Sequence, residues 1–328
     1  MRKILITGGA GFVGRHFTRR FLEMGDTVHV VDSVAPLTGG IDPADGWPLF
    51  DPRDFTSFTF HKEDCRSFFS RVRDTDFDYA VHLAAMVGGR EVIENNPIAV
   101  ADDLSIDAAY WQWAVAARPG KTLCFSSSAA YPVSRQQESG YELLREDMID
   151  FSSGIGLPDM TYGWAKLTCE YLARLAYRKH GLRSICFRPF SGYGEDQSAA
   201  YPFPSICMRV LANRGAKTLH VWGSGRQLRD FIHIDDCVEG ALAMMDRIDD
   251  GGAVNLSTGV YTSFLDFARL AAHCCGFTPE VGGMTDKPSG VFARAGDTAL
   301  QNKLGFAARV AFAEGVARAL RHYEGNSA

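Results

Sequence analysis

Lys3-Ile4-Leu5-Ile6-Thr7-Gly8-Gly9-Ala10-Gly11-Phe12-Val13-Gly14 carries the reading of the fold. A short apolar run ends in glycines, which recur at positions 8, 11 and 14. Apolar residues at helical spacing follow (Phe12, Val13, Phe17, Phe21, Leu22) and predict a helix over 12–24, stopped by Gly25. A strand feeding a glycine turn and then a helix makes a phosphate cradle. Gly8 permits the tight turn, Gly11 lets a pyrophosphate reach N–H groups at the helix N-terminus, and Gly14 lets the helix lie close to the sheet. A second β-branched run, 27–31, ends at Asp32. A carboxylate there accepts hydrogen bonds from an adenosine ribose diol and repels a 2′-phosphate. The expected cofactor is therefore NAD, held by Gly8, Gly11, Phe12, Val13, Gly14 and Asp32.

Working outward, residues 58–61, 79–82, 122–126 and 183–188 read as further strands, apolar without alternation and so buried on both faces. Helical patterns over 97–117 and 160–180 separate the later ones. This rhythm predicts an α/β protein: a Rossmann-like doubly wound parallel sheet with a smaller mixed α/β C-terminal substrate domain. The expected division is residues 1–190 with about 228–262 for the cofactor, and 191–227 with 263–328 for the substrate. In the second half, 205–213, 235–245 and 264–275 read as helices, and 218–221 and 253–256 as extended. Two long polar stretches, 33–56 and 132–159, read as functional loops.

Composition narrows the class. A chain of 328 residues suggests about two domains. At 46% hydrophobic it can bury a core, which excludes general disorder. A net charge of −5 excludes a dedicated nucleic-acid binder. No apolar run is long enough to span a bilayer, and the run after Met1 is too short for a signal sequence, so a cytoplasmic protein is expected. The eight cysteines form no C-x-x-C pair and read as reduced core thiols; the nine histidines show no ligand spacing, and no metal is expected.

Further motifs follow in order: Asp64-Cys65-Arg66, His82-Leu83-Ala84-Ala85, the run from Ser126-Ser127-Ser128 to Tyr131-Pro132, Tyr162-Gly163-Trp164-Ala165-Lys166, Arg188-Pro189, and the run from Val221 to His233. With the glycine turn, this set resembles the extended short-chain dehydrogenase/reductase family, NAD-dependent nucleotide-sugar epimerases and dehydratases, over nearly the whole chain. The resemblance implies adenine contacts from Asp64 and Cys65, and a cofactor wall from Leu83, Ala84, Ala85, Tyr162 and Lys166. It implies a catalytic Ser127, Tyr162 and Lys166, with Ser128 as a rival for the serine. The substrate implied is a nucleoside-diphosphate sugar, bound by Val87, Gly88, Ser127, Ser128, Tyr201, Phe203, Arg229 and Arg294. Segment 84–89 and Tyr131-Pro132 resemble the branches that take GDP sugars. A homodimer through 97–117 and 160–180 is also implied, with Trp111, Trp113, Tyr171 and Leu175 either its apolar patch or ordinary core. Two positions depart from the family: Ser191 replaces a common Asn, and the Asn on the helix before the serine strand is missing, with Asp102, Asp103 and Asp107 nearby.

Tyr162 and Lys166, four apart on a helix, share a face. A phenol has a pKa of about 10 and must lose about three units, ~4 kcal/mol, to act as a base near neutrality. One cation at about 4 Å in an effective dielectric of about 20 supplies that much, and Lys166 and the oxidised nicotinamide are the cations expected. Family members that are 4,6-dehydratases, eliminating water at C5–C6, carry Asp-Glu after the Ser/Thr, decarboxylases carry the Glu, and 3,5-epimerases carry a Cys where Ala129 stands. Here those positions are Ser128 and Ala129. The expected function is an NAD-dependent nucleotide-sugar 4-epimerase working by transient C4 oxidation and re-reduction. The alternative is a 4-keto-sugar reductase or C4 dehydrogenase; 4,6-dehydration and 3,5-epimerisation are disfavoured.

Overall fold

The chain opens with β1 (Lys3–Thr7), the glycine turn, α1 (Phe12–Glu23) and β2 (Thr27–Asp32). Then come β3 (Phe58–Lys62), α2 (Cys65–Arg71), β4 (Tyr79–His82), α3 (Arg90–Asn95), α4 (Pro97–Val100), α5 (Asp102–Ala117) and β5 (Lys121–Phe125). A hairpin of β6 (Gln136–Gln137) and β7 (Gly140–Tyr141) precedes α6 (Met160–His180) and β8 (Ser184–Pro189). The second half runs through α7 (Pro202–Ala212), β9 (Thr218–Trp222), β10 (Leu228–Arg229), α8 (Ile234–Met244), β11 (Asp250–Leu256), β12 (Thr262–Ser263) and α9 (Phe264–Cys274). It ends with β13 (Glu280–Met284), β14 (Ala293–Arg294), α10 (Ala299–Lys303) and α11 (Phe312–Gly325). This computed structural model describes all residues except 37, 74–75, 87–89, 286–289 and 326–328, and only the backbone of 90–92.

Seven strands form one parallel sheet in the order β11-β8-β5-β4-β1-β2-β3. The order reverses between β1 and β4, the switch point at which such sheets bind ligands. Ile4 and Ile6 of β1 point into a core with Phe17 and Phe21 of α1 and Ile234 and Met244 of α8. Leu5 points to the opposite core, with Phe68 of α2, Trp111 of α5 and Cys169 of α6. Both faces are covered, which is why the strands read as unbroken apolar runs.

A third core, with Tyr193, Phe203, Phe231 and Phe267, is closed by Val316, Ala319 and Leu320 of α11. Leu300, Leu304 and Phe306, around α10, pack instead on the core of the large sheet. One expectation needs correction: the helix foreseen over 97–117 is broken at Ala101 into α4 and α5. Of the two readings open for Trp111 and Trp113, dimer patch or core, the structure gives core: each is 4% exposed, because α5 packs against α2, α6 and the sheet at once. Tyr171 and Trp164 are 41% and 44% exposed. All eight cysteines are free thiols, and among the described residues no helix is long and apolar enough to cross a membrane.

Candidate active site

A cavity of about 820 Å³ lies at the switch point, between the large sheet and the third core. Its cofactor side is built by the glycine turn. Gly8 has φ +71°, and a Cβ there would sit 2.6 Å from Ala84 N. A Cβ on Gly14 would collide with the Gly8 carbonyl oxygen, so only glycine lets α1 lie this close to β1. Gly11 meets nothing nearer than that same oxygen at 3.3 Å and faces the cavity, as do Phe12 and Val13. Asp32 accepts from Val34 N at 2.8 Å and Ala10 N at 3.0 Å. Burial pushes its carboxyl above the usual range, and those amides pull it back only in part. Each oxygen still has acceptor capacity for a ribose hydroxyl.

Asp64 caps α2 through Arg66 N at 2.8 Å and pairs with the Arg66 guanidinium at 2.6 Å. The neighbouring Cys65 thiol is pushed up to about 12, chiefly by burial, so it is inert. Leu83, anchored by its N–H on Thr7 O at 3.0 Å, lines the wall with Ala84, Ala85 and Met86. Val87 and Gly88 lie outside the described residues. A glycine turn left open at Gly11, with a carboxylate at the ribose end, fits NAD.

The reacting side is set by how α6 begins. Asp159 N donates to Ala129 O at 2.9 Å, and a Cβ on Gly163 would collide with that same oxygen. The first turn of α6 therefore lies on the turn after β5, which brings Tyr162 close enough to Ser127 for the serine hydroxyl to favour the ionised phenol. Lys166 Nζ lies 5.5 Å from the centroid of the Tyr162 ring. The serine run is divided in three. Ser126 donates to Glu170 in the core, Ser127 meets Tyr162 and accepts from Ala129 N at 3.1 Å, and Ser128 is buried in the cavity wall.

The electrostatics differ from the sequence argument. Burial pushes the Tyr162 phenol above its ordinary value; Lys166 and Ser127 pull it down, and Asp103 and Asp107 push it up again. Lys166, only 6% exposed, would be lowered by burial, but Tyr162, Asp103 and Asp107 together hold its ammonium above the ordinary lysine value. The cation is thus compensated by two buried carboxylates, and the protein alone leaves the phenol neutral near pH 7.

On the substrate side, Arg229 of β10 and Arg294 of β14 are register partners on adjacent parallel strands, and both line the cavity. Arg229 donates to Leu228 O at 2.8 Å and lies 5.6 Å over the Phe264 ring. Arg294 donates to Gln136 Oε1 at 2.6 Å and to Asp159 Oδ2 at 2.7 Å. Tyr201 lines the cavity with its hydroxyl pushed well up, by burial first and then by Tyr162. Phe203 touches the cavity, but it is buried and stacks on Tyr193 and Phe267, so most of its surface belongs to the third core. Two wall residues, Asp196 and Asp159, and Gln136 behind the wall escaped the sequence reading. Asp196 pairs with Arg15 at 2.7 Å and with His16 at 2.8 Å; Gln136 and Asp159 hold Arg294. Asp159 was the legible one, sitting directly before the helix of Tyr162. Asp196 stands in a loop and Gln136 in the two-residue strand β6, neither with a periodic signal. Among the described residues no group of three or more His, Cys, Asp or Glu is arranged to hold a metal.

Comparison with known proteins agrees with this geometry. GDP-L-fucose synthase 1 of Arabidopsis thaliana is 26% identical over 334 residues, covering 98% of this chain and 93% of the relative. A dTDP-glucose 4,6-dehydratase of Streptomyces niveus is 25% identical, covering 99% and 94%. The crystal structure of UDP-glucose 4-epimerase from Thermotoga maritima, with UDP-glucose, superposes with a TM-score of 0.82 at 22% identity, over 99% of this chain and 100% of that one. At that identity the likeness is one of fold. Residues 4–257 match the profile named NAD dependent epimerase/dehydratase family, well over half the chain. The protein is therefore an enzyme of that NAD-dependent family, of the extended short-chain dehydrogenase/reductase type.

Proposed function

We propose that the protein is a nucleotide-sugar 4-epimerase. The observation that carries this reading is the pairing of Tyr162 with Ser127 beside Lys166, in a cavity whose described carboxylates are all engaged elsewhere. Asp159 is paired with Arg294, Asp196 with Arg15, and Asp64 and Asp102 with Arg66; Asp32 is held by backbone amides. 4,6-Dehydration, which eliminates water across C5–C6, and inversion at C3 or C5 need an acid or base that works on carbon-bound hydrogen. Ala129 and Ala130 offer none. Inversion at C4 needs only an oxygen-bound proton to move. Bound NAD supplies the hydride acceptor and donor. Ser127 holds the C4 oxygen; Tyr162, ionised once the cofactor's positive charge adds to that of Lys166, takes the C4 hydroxyl proton as a phenolate and returns it, and Lys166 steadies the phenolate. Arg229 and Arg294 receive the diphosphate, for which a guanidinium fork is suited.

The likeness to GDP-L-fucose synthases, together with segment 84–89, favours a GDP sugar. The same reading divides the chain into a cofactor part (1–190 with about 228–262) and a substrate part (191–227 with 263–328), and places a homodimer in the cytoplasm.

The test is incubation of the NAD-loaded enzyme with UDP, GDP, dTDP and CDP sugars, read by NMR of the products and by nicotinamide absorbance. Inversion at C4 without net reduced cofactor is expected, and Tyr162→Phe should lower the rate by roughly 10²–10⁴-fold. Stoichiometric use of cofactor would favour the reductase or dehydrogenase alternative. No inversion with any sugar overturns the proposal.

A further inference from the structure

Helix α5 carries three aspartates within its first two turns, and the fold gives each a different neighbour. Asp102 pairs with Arg66 at 2.7 Å. Asp107 meets His82 Nε2 at 3.0 Å, and His82 Nδ1 lies 2.7 Å from Thr7 Oγ1. Asp103 is 1% exposed. Its Oδ1 accepts the backbone N–H of Met86, in the segment that lines the cofactor wall. Its Oδ2 is buried with no hydrogen-bond partner among the described residues. An unpaired buried carboxylate oxygen is costly unless a nearby charge offsets it, and the opposite charge acting on Asp103 is Lys166.

We propose that Asp103 is a positioning residue of the reacting centre. One oxygen clamps the Met86 segment of the cofactor wall, and the carboxylate's charge on Lys166 sets how strongly Lys166 acts on the Tyr162 hydroxyl. The inference rests on Tyr162 being the reacting group, as argued above.

The groups around Asp103 fix the direction of its effect. From α6 these are Lys166 and Tyr162, with Cys169 further along; from its own helix, Asp102 and Asp107; from β4, His82, reached through Asp107. Burial pushes Asp103 up to about 6, with Lys166 pulling the other way, so it is ionised at neutral pH. Its charge raises Tyr162. Removing that charge leaves Lys166 less opposed, and the phenol becomes more acidic.

The test is ultraviolet titration of tyrosinate in the NAD-loaded protein, from about pH 5 to about pH 11. Subtracting the same titration of the matching Tyr162→Phe protein isolates Tyr162. Asp103→Asn keeps the acceptor for Met86 N but not the charge. Tyr162 should ionise about one pH unit lower in this variant, with NAD affinity unchanged. Asp103→Ser, which shortens the side chain, should give the same downward shift with weaker NAD binding, and it serves if the Asn variant does not fold. A Tyr162 titration that stays in place or moves up in these variants overturns the proposal. The readout is ionisation rather than turnover, so a failure of the 4-epimerase reading leaves this result interpretable.

Discussion

Asp103 binds its proton more tightly in the folded protein than in the unfolded chain, because burial raises it to about 6 from an ordinary value near 3.8. Between about pH 4 and about pH 6 the unfolded chain has released a proton that the folded state still holds. Stability therefore falls as pH rises through that window, by up to about 3 kcal/mol, and stays lower above it. Asp103→Asn removes this contribution. Urea denaturation should find the variant more stable than the parent at pH 8, with the difference closing at pH 4. A parent that gains on the variant as pH rises would contradict the assigned burial.

Helix α6 places Tyr162, Lys166 and Glu170 at successive four-residue steps, so the reacting pair and a buried carboxylate share one stripe. Glu170 takes the Arg188 guanidinium of β8 through Nε at 2.9 Å and Nη2 at 2.7 Å. Arg188 also donates to Tyr131 OH at 3.0 Å, and Tyr131 to Asn255 Oδ1 at 2.7 Å. Both members of the pair are essentially unexposed. Removing one charge strands the other, so Glu170→Ala should cost about 3–5 kcal/mol in urea denaturation. A loss below about 1 kcal/mol would mean that water reaches the Arg188 site.

This element was legible in the sequence to the residue, because its motif, its helical spacing and Gly181 in a left-handed cap all agree. Its neighbour α5 was not. The break at Ala101 resets the helical phase, so spacing alone left open which of Asp102, Asp103 and Asp107 faces Lys166. Trp111 and Trp113 are both buried although they are two apart, which one helical stripe does not allow; the sheet and two flanking helices enclose α5 more widely than that. Helix α11 repeats apolar residues at Val316, Ala319, Leu320 and Tyr323, a signal present in the sequence but passed over there. Of the site, the glycine turn, Tyr162, Lys166 and the two arginines stood in motifs. Asp196 reaches the wall only through long-range loop placement, and Gln136 acts on it only through Arg294, 158 residues away in sequence.

The whole molecule joins the large sheet and the third core over a cavity, and the proposed function puts NAD on the sheet side and the sugar on the other. On its outside, Tyr171 and Trp164 of α6 and Leu104 of α5 form an exposed apolar set. If these helices pair two copies, the parent sediments as a dimer and Tyr171→Asp shifts it toward monomer; a monomeric parent would remove the pairing from the account. The central claim is that Tyr162 moves an oxygen-bound proton and that no ring carbon trades hydrogen with water. Turnover of the accepted nucleotide sugar in heavy water, followed by NMR of the product, measures this directly. Inversion at C4 with no deuterium on any ring carbon is the expected result; deuterium at C3 or C5, or loss of the C6 hydroxyl, would overturn the 4-epimerase reading.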